Sequence, residues 1–375
     1  MKKLTRIIVL ALVAVFVLAV ACSCGGSENT NKTYFIGATG PLTGGASSYG
    51  ISVNQGAQLA IDEINAAGGL NGVKFSYEMI NDEHDASKVT SAYDTLKSKG
   101  MQASIGSVTS APCLQFASLS LDDNLFFITP SSSAADVIEG DNAYRICFGD
   151  PDQGIIVADT LAEEYTKIGV IYNSDDAYSN GIYEAFAGQM GELNREFTAT
   201  SFTESTKTVF TTQLQTLKAA GCEVIFLPIY YQEAFLIIKE AKSMNYEVNF
   251  FGCDGLDGIV GYAGNEASIL TGVKYFTPFD AASEDEVASA FVEAYEAKYG
   301  KTPDQFAADG YDAVMVIYEA MKKAGVNDVN ISASALCDKI TEVLNGDFTF
   351  KGATGTMTWD ESGAPTKAPI IVTIG

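Results

Sequence analysis

The chain has 375 residues, a formal net charge of −24 at pH 7 and 47% hydrophobic residues. That length is enough for two domains with sizeable cores. The strong negative charge argues against partners such as nucleic acid or an anionic lipid surface, and it is typical of a soluble surface. A single histidine, His84, excludes multi-histidine metal sites and the commonest catalytic triads.

The N-terminal segment has the charge pattern of a bacterial export signal. Three cations precede an uncharged apolar run over 7–21, which is at the short end of the range for a membrane-spanning helix. Small residues then lead to Cys22, and Ala-Val-Ala-Cys resembles the lipobox of bacterial lipoproteins. The resemblance implies a signal peptide at 1–21, acylation of Cys22 with Cys24 as the weaker alternative, and a lipid-anchored tether at 22–32.

The remaining cysteines are scattered, without a CxxC pair or accompanying histidines, so a zinc site is not expected. Their odd number leaves at least one thiol unpaired. We expect most of them to be small buried apolar residues, although the sequence does not define any pairing. They are Cys113, Cys147, Cys222, Cys253 and Cys337.

Strands and helices alternate from residue 33 onward. Strands are predicted at 34–36, 73–80, 103–105 and 125–128, with helices at 53–64, 86–98 and 113–121. After Asp150-Pro151 a second run begins with a helix to about 165. It continues with strands at 168–172, 196–202, 224–227 and 248–251 and with helices at 181–193, 211–219 and 233–244. Two such blocks predict two doubly wound α/β lobes with parallel sheets.

The C-terminal part of the chain departs from this alternation. A strand near 273–276 is followed by helices at 284–298, 305–324 and 332–344, and then by strand-like segments at 355–358 and 369–373. Three long helices are too many to close the second sheet alone. We therefore expect the chain to return to the first lobe and to finish near the second, which creates a hinge of several crossings.

Enzyme motifs are missing from the sequence. No GxGxxG, GxxxxGK[ST], GxSxG or HExxH is present. His84 lies in Asn-Asp-Glu-His-Asp after a predicted strand, which predicts a surface turn rather than a catalytic role. We therefore expect neither an enzyme nor a bound cofactor or metal.

Polar breaks directly follow four of the predicted strands. Ligands of open α/β sheets bind at these carboxyl ends, and serines that open helices suit a carboxylate because backbone N–H groups and the helix dipole point at it. Helix capping is the alternative role for any one serine, but three consecutive serines exceed the needs of one cap. The breaks are 37–44, 106–110, 129–133 and 252–255.

One acidic residue and several aromatic residues also fall at these junctions. Asp254 follows an apolar strand, where a buried carboxylate needs a cation such as an α-ammonium group; an Asx turn closed by Gly255 is the alternative. Aromatic rings could surround a ligand side chain, although most of the 18 tyrosines and 21 phenylalanines must belong to the core. The candidates are Tyr49, Tyr178, Tyr230, Tyr231 and Phe306.

Several of these stretches resemble one known family. Gly40-Pro41-Leu42-Thr43-Gly44, Tyr49-Gly50 and the run from Gly56 to Gly72 closely resemble the opening of the leucine/isoleucine/valine-type periplasmic binding proteins of ABC transporters. The likeness continues in the family's order over essentially the whole mature chain, at 105–110, 128–130, 177–181, 251–255, 311–313, 355–360 and Gly363.

The resemblance implies a type I periplasmic-binding-protein fold in which two lobes joined by three hinge crossings close on an amino acid without a chemical step. We expect lobe 1 to contain 33–150 plus about 280–352, and lobe 2 to contain 151–279 plus about 353–375. The resemblance also implies an extracytoplasmic, lipid-anchored monomer that delivers its ligand to a membrane permease. A ligand sensor, or a receptor for an amide or another small solute, is the alternative.

The family's site residues carry over by position. Ser110 and the loop Ser131, Ser132 and Ser133 would hold the ligand carboxylate, with Ser133 and a loop carbonyl also facing the ammonium. Asp254 would pair with the ammonium. The aromatic wall would comprise Tyr49, Tyr178, Tyr230 and Phe306, with Tyr231 as the alternative to Tyr230.

Three departures from the family pattern bear on specificity. His84 and Thr109 stand where branched-chain members often carry a disulfide, so that bridge should be absent. Aspartate replaces the more usual glutamate at position 254, and three serines replace a Gly-Ala-Thr-like loop. These changes alter the reach of the polar groups, so a hydrophobic ligand such as leucine is one option among several amino acids.

Overall fold

The computed structural model describes residues 32–367 and 369–375, so the predicted signal peptide and the acylation of Cys22 lie outside the described residues. The first sheet contains β1 (Tyr34–Gly40), β2 (Phe75–Asn81), β3 (Ala103–Ser107), β4 (Phe127–Thr129) and β5 (Ala143–Arg145). Its strands are parallel in the order β2-β1-β3-β4-β5. They are connected by α1 (Ser47–Ala66), α2 (Ala86–Ser98) and α3 (Ser110–Asp122).

The second sheet repeats the architecture. It contains β6 (Ile168–Asn173), β7 (Phe197–Phe202), β8 (Val224–Leu227), β9 (Asn249–Gly252), β10 (Lys274–Thr277) and β13 (Ile370–Thr373). The order is β13-β10-β9-β8-β6-β7, and only β13 runs antiparallel to its neighbour. Its helices are α4 (Asp150–Glu164), α5 (Ala177–Glu192), α6 (Thr211–Ala220), α7 (Tyr231–Ser243) and α8 (Ile259–Ala263).

Every residue of β3 and of β8 is buried. This burial is typical of parallel strands that helices cover on both faces. The predicted class, two doubly wound α/β lobes, is confirmed.

The three C-terminal helices are α9 (Glu286–Tyr299), α10 (Gln305–Lys323) and α11 (Ala333–Leu344). Helix α10 packs against α1 at very short range: a Cβ atom at Gly56 would collide with the carbonyl oxygen of Ala307, and one at Gly310 with that of Val53. A hairpin of β11 (Phe350–Gly352) and β12 (Gly355–Met357) follows. The chain then reaches β13, which pairs with β10.

The predicted order of strands and helices is confirmed, but three short elements were missed. Strands β5 and β11 have three residues each and α8 has five, which is too few for a repeat of apolar positions to emerge. All five cysteines of the described residues are buried, which agrees with the prediction that most of them are, and all five are unpaired, which the sequence did not define. No helix in this part of the chain has both the length and the apolar composition needed to cross a membrane.

Candidate ligand-binding site

The carboxyl ends of strands from both sheets face each other across a cleft, and seven of the nine predicted ligand-binding residues meet there. They surround a space of only about 10 Å³, which is room for about one water molecule. A larger ligand therefore requires one wall of this site to move. The seven residues are Tyr49, Ser110, Ser131, Tyr178, Tyr230, Asp254 and Phe306.

Asp254 is the buried acid of the site. It begins a short 3₁₀ helix directly after β9 and is only 3% exposed. The Tyr178 hydroxyl donates to its Oδ1 atom over 2.7 Å. Burial raises the pKa of Asp254 to about 6, and hydrogen bonds from Tyr178 and Gln153 oppose this rise. A carboxyl group so desolvated is stabilised in its charged form by a nearby cation.

The backbone around Asp254 is fixed by two glutamines. The Asp254 N–H donates to Oε1 of Gln153 over 3.1 Å, and Nε2 of Gln305 donates to the Asp254 carbonyl over 2.6 Å. Gln153 lies in α4 and Gln305 begins α10. Together with Tyr178 of α5, these glutamines hold Asp254 from three separate helices.

The N-terminus of α3 opens onto the same space. Its N-cap residue is Thr109, whose side chain does not cap the helix; its hydroxyl is instead hydrogen-bonded to Nδ1 of His84 at 2.8 Å. Ser110 accepts from the Ala134 N–H over 3.3 Å, and Ser131 donates to the Val108 carbonyl over 2.7 Å. The serines thus tie two loops together, and the positive end of α3 is left facing the cleft.

The aromatic wall consists of rings from both lobes. Phe306 and Tyr49 lie with their centroids 4.3 Å apart, and Tyr178 stacks on Tyr230 at 4.9 Å with an interplanar angle of 8°. The Tyr49 hydroxyl donates to the Gly255 carbonyl over 2.5 Å and accepts from the Tyr231 N–H over 3.1 Å.

Tyr230 and Tyr231, the two alternatives that the sequence left open, differ in position. Tyr230 lines the small space. The Tyr231 hydroxyl instead donates to the Gly45 carbonyl over 2.8 Å. The two adjacent side chains therefore point in different directions.

Two predicted serines do not line this space. Ser132 and Ser133 are fully buried behind it, and neither hydroxyl has a hydrogen-bond partner among the described residues. The Ser133 carbonyl accepts from the Asp150 N–H over 2.8 Å and from Nη1 of Arg145 over 2.5 Å. In this conformation Ser131 lines the space, whereas Ser132 and Ser133 do not.

Asp150 is a residue that sequence reasoning missed. It begins α4, is 1% exposed, and neither carboxylate oxygen has a hydrogen-bond partner in the described part of the chain. Burial, and then the charge of Asp254, raise its pKa well above the usual range. In the sequence Asp150-Pro151 looks like an ordinary helix start, so only its three-dimensional neighbours reveal a second acid beside Asp254.

His84 lies in a turn, as predicted, but its side chain is less exposed than an ordinary surface position. Its φ is 60°, and only 21% of its side chain is exposed. Its ring contacts Thr109 and packs edge-on to Tyr230 at 5.5 Å, and its Nε2 lies 3.8 Å from Oδ1 of Asp176. The turn bends into the cleft, because the loops after parallel strands face the opposite lobe.

Two α/β lobes that face each other through the carboxyl ends of their strands define a solute-binding architecture. The sequence model of the family described as periplasmic binding protein matches residues 33–370, so the chain belongs to this family. The resemblance inferred from sequence is confirmed.

Relatives of known name agree with this assignment. The leucine-, isoleucine-, valine-, threonine-, and alanine-binding protein of Pseudomonas aeruginosa is 26% identical over 88% of this chain and 87% of its own length. The Leu/Ile/Val-binding protein BraC3 of Rhizobium johnstonii is 28% identical over 86% of this chain and 88% of its own length.

Solved structures show the same fold. The isoleucine complex of LivJ, a branched-chain amino acid transporter substrate-binding protein from Streptococcus pneumoniae, is 26% identical with a TM-score of 0.82 and covers 92% of this chain and 97% of its own. The leucine-binding protein LivK of Thermotoga maritima is 26% identical with a TM-score of 0.81, and the match covers 91% of this chain and 95% of LivK.

Proposed function

We propose that the chain captures an amino acid between its lobes and delivers it to the permease of an ABC transporter. The observation that carries this proposal is the opposition of Asp254 and the N-terminus of α3 across one small space. An α-amino acid carries an ammonium and a carboxylate on one carbon. The acid and the helix end supply the two complementary charges.

The ammonium end of the ligand would pair with Asp254. The groups that donate to this carboxylate are neutral, among them the Tyr178 phenol at 2.7 Å, and burial opposes its ionisation. A cation brought beside it offsets that cost, so ligand binding and closure of the cleft support each other.

The carboxylate end would meet the first turn of α3. Since the Thr109 hydroxyl is occupied by His84, no N-cap side chain competes with the ligand for the first N–H groups of the helix. Ser110 and Ser131 add hydroxyls at the same edge. The rings of Tyr49, Tyr178, Tyr230 and Phe306 would then enclose the ligand side chain.

Anchoring and hinge organisation complete the proposal. We infer that cleavage of the signal peptide leaves Cys22 acylated outside the cytoplasm and that the protein acts as a monomer. Lobe 1 would comprise 33–150 plus about 280–352, and lobe 2 the remainder of the folded chain. Support comes from the separate sheets and from the pairing of β13 with β10.

Thermal unfolding of the full chain in the presence of single amino acids tests this function. A ligand that binds only the folded state raises stability by about 2.7 kcal/mol at a concentration 100 times its Kd. The Asp254→Asn variant should lose the shift, whereas Asp94→Asn, a matched change at an exposed position, should keep it. No shift with any amino acid, or full binding by Asp254→Asn, would contradict the proposal.

Anchoring and delivery need separate measurements. Labelled fatty acid should enter the chain in bacteria and should be lost in Cys22→Ser but not in Cys24→Ser. Cells that lack the chain should lose uptake of the ligand found by thermal unfolding. Normal uptake in those cells would contradict the proposed role in transport but not the proposed binding of an amino acid.

A further inference from the structure

A second and larger cavity lies next to the amino-acid site. It has a volume of about 200 Å³ and is bounded by the loops that follow β1, β2, β6, β7 and β8. These are carboxyl ends of strands from both sheets, the position at which ligands of such folds bind. Its polar lining residues include Glu83, His84, Asn173, Asp176, Lys207 and Glu233.

The cavity is negatively charged. Four carboxylates line it, those of Glu83, Asp176, Glu204 and Glu233, against the single cation Lys207. The lysine is shared between Glu204 at 2.8 Å and Glu233 at 3.5 Å. Glu83 is paired with Lys88 at 2.6 Å, outside the cavity lining. The negative charge without a matching lysine is therefore that of Asp176 and part of that of Glu204 and Glu233.

Asp176 is the most buried of these acids, with 5% of its side chain exposed. One of its oxygens accepts from the Ser179 N–H at the start of α5, and the other has only the His84 ring nearby, at 3.8 Å, beyond hydrogen-bonding distance. Burial lowers the pKa of His84, so the ring supplies little positive charge at neutral pH. Within the described residues, therefore, no hydrogen bond reaches Oδ1 of this nearly inaccessible carboxylate.

Tyr230 separates this cavity from the amino-acid site, because its ring lines both spaces. Among the three tyrosines of the wall, Tyr230 differs in the hydrogen bonding of its hydroxyl. The hydroxyls of Tyr49 and Tyr178 are hydrogen-bonded to Gly255 and Asp254, whereas the buried Tyr230 hydroxyl has no partner among the described residues. Rotation of Tyr230 would therefore break no hydrogen bond and would join the two spaces.

We propose that the cavity binds a cationic group at the end of the ligand side chain, so that the chain selects amino acids carrying a second ammonium or a guanidinium. This inference rests on the proposed function and specifies its substrate class. The α-ammonium and α-carboxylate lie at Asp254 and α3, the aliphatic part of the side chain passes the ring of Tyr230, and the terminal cation reaches Asp176 and Glu233.

Lysine and norleucine form the matched pair of ligands, because they share a straight aliphatic side chain and differ in the terminal ammonium. In calorimetric titration of the full chain at pH 7.5, lysine should bind at least about tenfold more tightly than norleucine. This factor corresponds to the usual contribution of one buried hydrogen bond to a charged group. Ornithine and arginine should also bind more tightly than norleucine.

The Asp176→Asn variant removes the charge of Asp176 without removing its role as a helix cap. Asparagine is as good an N-cap as aspartate, so α5 keeps its start and the fold is preserved. The lysine-to-norleucine affinity ratio should fall by about tenfold in this variant and should be unaffected in Asp94→Asn. Glu233→Gln, at the other side of the cavity, should lower the same ratio.

Three outcomes are distinguishable. A high ratio that falls in Asp176→Asn and Glu233→Gln supports the inference. Equal affinity for lysine and norleucine, or a ratio that neither variant changes, overturns it while amino-acid capture stands. Binding of no amino acid at all, with Asp254→Asn indistinguishable from the unaltered chain, overturns both.

Discussion

Acidification is expected to weaken the binding of a neutral amino acid, and the size of the effect follows from Asp254. Its pKa is raised to about 6 by burial, and only the ionised form can pair with the ligand ammonium. At pH 5, one unit below that pKa, about one-tenth of the carboxyl groups are ionised. The observed Kd should therefore rise about tenfold between pH 7.5 and pH 5, because the ammonium itself stays charged throughout.

Calorimetric titration at half-unit steps of pH measures this profile. Tyr178→Phe provides an internal check, since loss of the phenol that donates to the carboxylate raises the pKa of Asp254 and moves the fall in affinity to higher pH. Asp254→Asn should bind weakly with a flat profile. A constant Kd from pH 8 to pH 5 in the unaltered chain, or tighter binding in acid, would refute the assignment of Asp254 as the partner of the ammonium.

Three further predictions concern stability and reactivity. Lys367→Met removes the cation that lies 3.2 Å from the buried Asp309 and should cost about 3–5 kcal/mol in urea unfolding at pH 8. The loss should shrink at pH 5, because burial raises the pKa of Asp309 to about 7 and the acid takes up a proton below that pH. Gly56→Ala should destabilise by about 1–3 kcal/mol through its collision with Ala307, whereas Gly188→Ala, on an open face of α5, should stabilise by about 0.5–1 kcal/mol. Mass spectrometry should find alkylation only after denaturation at Cys113, Cys147, Cys222, Cys253 and Cys337.

Much of the fold was predictable because long helices and strands carry a repeated pattern of apolar residues. The turn-rich breaks after strands also located the cleft, since topology alone brings those ends together. What the pattern could not supply is the direction of individual side chains. Tyr230 and Tyr231 are chemically identical neighbours, and only the start of α7 between them decides that Tyr230 lines the cleft.

The sequence also did not predict that two buried acids lie near the cleft. Asp150 and Asp176 both occur at helix starts, where aspartate is common as a cap or first-turn residue, so their sequence context matched a structural role. Asp176 does cap α5, and yet its second oxygen faces the cleft. The local sequence of such a residue indicates only the commoner role, because the second role depends on loops from other parts of the chain.

The hydrogen bond between His84 and Thr109 connects the amino-acid site with the acidic cavity. A threonine at the N-cap ordinarily turns its hydroxyl onto the first turn of its own helix, where it would compete with a ligand carboxylate for the same N–H groups. Here the hydroxyl is bonded to Nδ1 of His84 at 2.8 Å, and α3 has no side-chain cap from Thr109. The contact that links the loops after β2 and β3 therefore also keeps the helix terminus open. The other side of the same ring faces Tyr230 and Asp176, so His84 lies against both the amino-acid site and the acidic cavity beside it.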